Sequence, residues 1–161
     1  KMKILNHEVK KDIDILFYGS LNDRRMKIIK ALQKLGFKVK VLYNVYGSER
    51  NRFIERAKII ININWNEKTI LPEHRLSFLL NNECFIISEK PASEIPKSYQ
   101  EGIVFCTYEE LIDYCIFYLK PENLANTRVL AHKGYDNFSK NKMVDNLKRS
   151  LKSNLLILDH S

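Results

Sequence analysis

Short apolar runs alternate with longer segments of helical periodicity along most of the chain. The runs are rich in Ile, Val, Phe and Tyr, and turn residues bound several of them, which is typical of buried strands. The run DILFY at residues 14–18, for example, ends directly at Gly19. The predicted strands are residues 14–18, 38–43, 58–64, 84–88 and 103–106.

Between these runs, apolar residues recur every three or four positions, as amphipathic helices require. In the first such segment the apolar residues share one face, and Gly36 follows as a C-terminal stop signal. We interpret Gly134 as a similar break, after which residues 136–151 form a separate basic amphipathic helix. The other predicted helices are residues 22–35, 48–57, 72–82, 109–119 and 121–133.

This order of strands and helices predicts an α/β fold with a parallel sheet that is covered on both faces. Because crossovers between parallel strands are right-handed, the topology is restricted to doubly wound forms. We expect a Rossmann-like three-layer domain with a five-stranded, mainly parallel sheet in the order 2-1-3-4-5. The domain is expected to span residues 12–135, with a C-terminal helix and tail at residues 136–161 that pack on it or extend from it.

Length and composition are those of one soluble domain. The chain has 161 residues, of which 45% are hydrophobic and 29% charged, and no apolar stretch is long enough to predict a membrane span. The three cysteines, Cys84, Cys106 and Cys115, lack metal-ligand spacing and predict core thiols in a reducing, cytoplasmic compartment. Because the first residue is Lys1 rather than Met, we expect the chain to belong to a longer protein.

The formal net charge of +8 raises the question of nucleic-acid binding. Lysines and arginines are spread over predicted helix faces, without an arginine-rich arm, a zinc knuckle or an aromatic RNA-binding signature. A nucleic-acid-binding module would therefore rest on net charge alone, and no specific nucleic-acid partner is expected. A basic domain does favour anionic ligands, among them a nucleotide diphosphate.

The first candidate binding residues follow the first strand. In an open parallel sheet the ligand binds at the carboxyl ends of the strands, where the strand order reverses, which here lies between the first and third strands. Gly19, Ser20 and Asn22 form a loop that leads into a helix N-terminus, where free amides suit a phosphate. Arg24 and Arg25 occupy the first helical turn, where the helix dipole disfavours cations unless an anion is bound. The alternative is a solvated arginine pair.

The second wall of the same crevice follows the third strand. Asn64 offers amide hydrogen bonds at the strand end, and Trp65 can stack on a base or pack in the core. Glu73 can accept hydrogen bonds from sugar or ribose hydroxyls, or it can simply stabilise a helix N-terminus. Arg75 can neutralise a phosphate in this cleft.

Known cofactor motifs are missing from the loop at residues 19–22. It has neither the three-glycine dinucleotide fingerprint nor a phosphate loop that ends in Gly-Lys-Ser/Thr, so neither a nicotinamide cofactor nor ATP hydrolysis is indicated. The pair Asp12 and Asp14 lies at the start of the first strand rather than at a strand end. We therefore predict no metal site and no cofactor.

Four segments, in this order, resemble the C-terminal half of family-1-like glycosyltransferases, which have the GT-B fold of two facing Rossmann-like domains. They are DILFYGSLNDRRMKIIKAL, VYGSERNRFIERAKIIININ, PEHRLSFLLNNECFIISE and GIVFCTYEELIDYCIFYL. The nearest similarity is to the spore-maturation-protein-like group, in which a strand ends in Tyr-Gly-Ser and an Asn-x-Arg-Arg-like helix follows. The resemblance covers residues 12–140.

The resemblance implies that the domain binds the donor, a nucleotide-diphosphate sugar, as substrate. The acceptor domain would lie upstream in a longer chain or in a partner. Positions near the donor phosphates correspond to Gly19, Ser20 and Asn22, with charge from Arg24 or Arg25. Positions near the donor ribose or sugar correspond to Glu73 and Arg75.

Two positions depart from the family pattern. Many relatives carry a pair of glutamates around the helix before CFIIS, and here the aligned residues are Thr69 and Ser77. Glu73 is the substitute candidate, and the catalytic residues are not identified. The leading hypothesis is a donor-binding glycosyltransferase domain that stabilises the departing diphosphate electrostatically. The alternative is a non-catalytic α/β interaction or regulatory domain that has lost the donor chemistry.

Overall fold

All five predicted strands are present, and they form one sheet. The computed structural model describes residues 4–158, apart from the side chains of residues 146 and 150–158. Every strand pair is parallel, and the order is β2-β1-β3-β4-β5, which confirms the predicted doubly wound, Rossmann-like topology. The strands are β1 (Ile13–Tyr18), β2 (Val39–Leu42), β3 (Ala57–Asn62), β4 (Ile86–Glu89) and β5 (Ile103–Cys106).

Helices connect the strands and cover both faces of the sheet. Short 3₁₀ turns precede β5 and α5, at Lys97–Tyr99 and Pro121–Asn123. Within residues 4–158, no helix is both long and apolar enough to cross a membrane. The α-helices are α1 (Asp23–Lys34), α2 (Gly47–Arg56), α3 (Glu73–Asn81), α4 (Leu111–Leu119) and α5 (Leu124–Leu158).

Two apolar layers form because successive strand residues point to opposite faces of the sheet. Leu16 of β1 is level with Ile60 of β3, and both belong to the layer beneath α2 and α3. Phe17 and Ile61 lie on the other face, beneath α1 and α4. The three cysteines are unpaired and buried in these layers, as predicted for core thiols.

The predicted break at Gly134 is wrong, because α5 continues without interruption through this residue. Gly134 packs against Gly102, which directly precedes β5. A Cβ atom added to Gly102 would lie 2.1 Å from the Cα atom of Gly134, and one added to Gly134 would lie 3.2 Å from the Cα atom of Gly102. The glycine is therefore required by a close backbone contact rather than by a helix end.

Helix α5 crosses the amino-terminal edge of the sheet, opposite to the edge where a ligand is expected. It contacts the segments before β4 and β5, through His132 with Glu83 and Lys133 with Glu101. Beyond the predicted boundary at residues 135–136, Phe138 is still buried. The division into residues 12–135 and 136–161 stays a prediction, and residues 159–161 lie outside the described part of the chain.

The contact between Gly102 and α5 predicts a large effect of a single methyl group. We expect Gly102→Ala to lower the free energy of unfolding by about 3 kcal/mol, because overpacking adds to the cost of a left-handed backbone. The φ angle of Gly102 is +83°, and that of Gly36 is +90° with open space around it. Gly36→Ala is thus the matched control and should cost only about 1 kcal/mol in urea unfolding. Equal losses would show that the close contact is unimportant.

Candidate functional site

The crevice between the carboxyl ends of β1 and β3 begins at Gly19. This residue has a φ angle of +132°, a conformation that favours glycine. Its amide donates to the carbonyl of Leu42 and so continues the ladder with β2. The absence of a side chain matters as well, because a Cβ atom here would lie 2.7 Å from Nη2 of Arg75. Gly19 therefore allows an arginine from α3 to approach the backbone at the end of β1.

Helix α1 points its N-terminus into the same crevice. The Asn22 side chain accepts a hydrogen bond from the amide of Arg25 at 2.9 Å and donates one to the carbonyl of Trp65 at 2.8 Å. Asn22 thus caps the helix and ties together the two walls of the crevice. The amides of Asp23 and Arg24 have no acceptor within the helix, as expected for a first turn. They add positive potential at this edge of the sheet.

Arg24 is neutralised inside the protein. Its guanidinium donates to both carboxylate oxygens of Glu89, at 2.7 and 2.5 Å, and Glu89 lies at the end of β4. The same carboxylate accepts from the amide of Asn64 at 2.9 Å. Hydrogen bonding to Glu89 raises the pKa of Arg24. The face of the Arg24 guanidinium packs on the ring of Tyr108 at 3.9 Å. Arg24 is therefore paired and only partly exposed, which excludes a solvated arginine pair.

Arg25 is buried, and it is held by neutral groups. Its Nε donates to the carbonyl of Ile63 at 2.9 Å, and Nη1 donates to the carbonyl of Ser20 at 2.7 Å. The rings of Phe17 and Trp65 lie 5.5 and 5.2 Å from its guanidinium carbon. Among the described residues, no carboxylate oxygen comes within 4.0 Å of this guanidinium. Arg25 thus brings to the crevice a positive charge that no described carboxylate contacts, although Glu89 acts on it from a greater distance.

Arg75 extends from the first turn of α3 toward the end of β1. Its Nη1 donates to Oδ1 of Asn62 at 2.9 Å, and its guanidinium carbon lies 4.8 Å from the centre of the Tyr18 ring. Burial raises the pKa of Tyr18 to about 12, so the phenol stays neutral and supplies no counterion. The Nη2 group faces the open position beside Gly19.

Arg50 of α2 completes this group, and sequence reasoning missed it. Its guanidinium carbon lies 5.6 Å from the Tyr18 ring and 4.6 Å from the Phe78 ring, and its hydrogen bonds go to the neutral side chain of Asn51. We refer to Arg25, Arg50 and Arg75 as the arginine cluster. In the part of the chain that the structure describes, none of the three forms an ion pair with a carboxylate.

The members of the arginine cluster influence one another electrostatically. Burial, followed by the charges of Arg75 and Arg24, lowers the pKa of Arg25 to about 10. Burial also lowers the pKa of Arg75, and the charge of Arg50 acts in the same direction. Even at about 10, the pKa of Arg25 keeps this group protonated near neutral pH. A bound anion would relieve both the desolvation and the mutual repulsion of these arginines.

The remaining predicted site residues have different surroundings. Asn64 is buried, its Nδ2 donates to the carbonyl of Lys90 at 2.8 Å, and its Oδ1 has no hydrogen-bond partner. Glu73 is exposed at the start of α3, where its charge acts on Tyr99. Ser20 contributes its carbonyl to Arg25.

The positions of the missing glutamates carry no acidic group. Thr69 Oγ1 lies within hydrogen-bond distance of Oδ1 of Asn66, and Ser77 Oγ donates to the carbonyl of His74. No group of three His, Cys, Asp or Glu side chains among residues 4–158 could hold a metal ion. The positive charge around the end of β1 is supplied by the arginine cluster.

Comparison with known proteins yields two viral relatives. No established protein-family profile matches the chain. It is 24% identical over 136 residues to uncharacterized protein L140 of Acanthamoeba polyphaga mimivirus, a match that covers 80% of this chain and 44% of the relative. It is 30% identical over 129 residues to uncharacterized protein L138 of the same virus, covering 76% of this chain and 15% of the relative. The chain thus spans less than half the length of either relative.

The ion pair between Arg24 and Glu89 predicts a stability effect at this edge of the sheet. We expect Glu89→Gln to lower the free energy of unfolding by about 2 kcal/mol, because it leaves Arg24 without its counterion. The loss should be below that of a fully buried pair, since 22% of the Arg24 side chain is exposed. The control is Asp12→Asn, which breaks the exposed pair with Arg56 and should change urea unfolding much less. Similar losses in the two variants would contradict this assignment.

Proposed function

We propose that the crevice at Gly19 binds the diphosphate of a nucleotide sugar, so that this domain is the donor-binding half of a glycosyltransferase. The observation that carries the proposal is the arginine cluster, in which three guanidinium groups surround the end of β1 without a carboxylate partner among the described residues. Arginine binds phosphate oxygens through paired N–H donors, and its charge does not depend on pH in the neutral range.

The diphosphate would lie between the N-terminus of α1 and the first turn of α3. Nη2 of Arg75 borders the space that the missing side chain of Gly19 leaves open. Arg25 uses Nε and one donor of Nη1 for backbone carbonyls, which leaves its other N–H groups for a ligand. The free amides of the first turn of α1 add donors from the other side.

Such a site favours the bond cleavage that sugar transfer requires. When the sugar leaves the donor, negative charge develops on the departing diphosphate. Cations that are already held in place stabilise this charge without reorganisation, which lowers the barrier. Here the stabilising positive charge comes from arginines of this domain, so the domain itself can stabilise the departing diphosphate.

Two further residues fit a nucleotide sugar. Trp65, whose side chain is 45% exposed, presents an aromatic surface beside Arg25 on which a base can stack. The exposed carboxylate of Glu73 is available to sugar or ribose hydroxyls. The sequence resemblance to the donor-binding half of GT-B enzymes supports the same assignment.

A second candidate function is a regulatory or interaction domain that no longer supports catalysis. Thr69 and Ser77 favour it, because neither can replace a carboxylate that orients the donor. An assay of nucleotide-sugar turnover by the longer protein distinguishes the two candidate functions. If the domain is regulatory, the longer protein should show no turnover either.

If the arginine cluster binds the diphosphate, the loss of a single guanidinium group should weaken nucleotide binding. We expect uridine or guanosine diphosphate to bind in calorimetry and to raise the melting temperature. Arg25→Ala or Arg75→Ala should weaken binding by about 10- to 100-fold, because each removes charge-assisted hydrogen bonds. Arg75→Lys should recover only part of the loss, since lysine keeps the charge but not the paired donors.

Arg52→Ala is the matched control, because Arg52 lies on α2 near Arg50 but is exposed. It should leave nucleotide binding unchanged. Unfolding of each variant without ligand separates lost binding from lost structure. Absence of nucleotide binding, or binding indifferent to Arg25 and Arg75, would refute the proposed site.

A further expectation is that residues 1–161 bind the donor but do not transfer sugar by themselves. Enzymes with this type of donor site build the transition state between two domains, and acceptor orientation accounts for about 7–11 kcal/mol of barrier lowering in favourable cases. An assay with a panel of nucleotide sugars should detect no turnover by this domain alone. Robust turnover that Glu73→Ala abolishes would show instead that the domain is a complete enzyme.

A further inference from the structure

A second cavity lies at the amino-terminal edge of the sheet, opposite to the crevice at Gly19. Its volume is about 400 Å³, within the usual range for small-molecule pockets. The walls come from the segment before β1, the end of α2, the beginning of β3, the residues just before β4 and the first turns of α5. No residue of the arginine cluster lines it.

The inner walls of this cavity are apolar. They are formed by residues from the two apolar layers of the domain, together with one leucine of α5. An aliphatic ligand group placed here would be removed from water, which favours binding in proportion to the apolar surface that is buried. The apolar lining residues are Ile54, Ala57, Ile60, Phe85, Leu124 and Ala131.

Two of the charged groups at the cavity, Lys58 and Glu83, are paired, whereas Lys11 and Arg128 form no ion pair with a carboxylate among the described residues. Lys58 forms an ion pair with Asp14 at 2.7 Å. The carboxylate of Glu83 lies 2.6 Å from Nδ1 of His132. Lys11 is half-buried, and among the described residues no carboxylate oxygen lies within 4.0 Å of its ammonium group.

The environment of Lys11 favours an external anion. Burial is the main cause that lowers the pKa of Lys11, and the nearby charge of Arg128 acts in the same direction, whereas the carboxylate of Glu55, beyond ion-pair distance, opposes them. A bound anion would counter both effects. Cys84 also lines the cavity, but burial raises the pKa of its thiol to about 12, so it is a neutral wall group rather than a nucleophile.

We propose that this cavity binds an aliphatic monocarboxylate, with the carboxylate on Lys11 and the chain against the apolar walls. A single negative charge fits better than a phosphate dianion, because the carboxylate of Glu83 lines the same cavity. The exposed guanidinium of Arg128 lies at the cavity and adds attraction for a monoanion. The site is independent of the donor crevice and of the function proposed for it.

The test is a titration of the whole chain with octanoate, followed by calorimetry and NMR. Octanoate should bind, and octylamine, which has the same chain with the opposite charge, should not. Lys11→Gln should weaken octanoate binding at least about tenfold, because it removes the charge-assisted contact. Lys10→Gln, which alters the exposed neighbouring lysine, should leave the affinity unchanged.

A second variant tests the cavity itself. Ala131→Leu fills the space from α5 and should abolish octanoate binding while an unfolding curve confirms that the variant is folded. No octanoate binding, or equal binding by Lys11→Gln and the parent chain, overturns the proposal. Arg75→Ala should bind octanoate normally, which separates this result from the fate of the donor site.

Discussion

The carboxyl edge of the sheet is organised by the contact between Arg24 and Glu89. This pair joins the first turn of α1 to the end of β4, although β3 lies between β1 and β4 in the sheet. The same carboxylate holds the amide of Asn64 at the end of β3. One buried acid therefore fixes a helix and two strand ends relative to one another. The orientation of α1, and with it the position of Arg25, depends on this contact.

The ion pair with Glu89 also gives the adjacent residues Arg24 and Arg25 different roles. Arg24 is occupied by Glu89, and Arg25 turns toward backbone carbonyls of the crevice. Hydrogen bonds to carbonyls orient a guanidinium, but they do not neutralise its charge. Arg50 and Arg75 approach the end of β1 at the Tyr18 ring, and neither forms an ion pair with a described carboxylate. The protein thus separates cations that hold the fold from cations that are available to an anion.

Much of the fold could be predicted because local patterns and the handedness of crossovers leave few topologies. Strand order 2-1-3-4-5 follows from five apolar runs separated by helical segments, and Gly19 was identifiable as the turn after β1. The sequence pattern of α5 gave a wrong prediction. In the sequence, a glycine that is needed for contact with Gly102 cannot be distinguished from a glycine that ends a helix. Only the tertiary structure reveals which of the two reasons applies.

The location of the candidate site could be predicted from the sequence better than the contacts of its residues. The rule that ligands bind at the carboxyl ends of strands selected Arg25, Asn64 and Arg75, whose side chains the structure places at this edge of the sheet, while their role in donor binding stays a prediction. It could also have selected Glu89, which directly follows the predicted strand CFIIS. Arg50 gave no such signal, because its approach to the Tyr18 ring depends on how α2 packs across the sheet.

The position of β2 at the margin of the sheet affects how the protein behaves at high concentration. A marginal strand exposes unpaired backbone groups that can template pairing with another chain. Here that strand has only four residues, Val39–Leu42. Lys40 is exposed at its centre, with its ammonium group 4.8 Å from the Phe53 ring. A short strand with a lysine in the middle is a poor template, so this margin resists the strand addition that leads to aggregation.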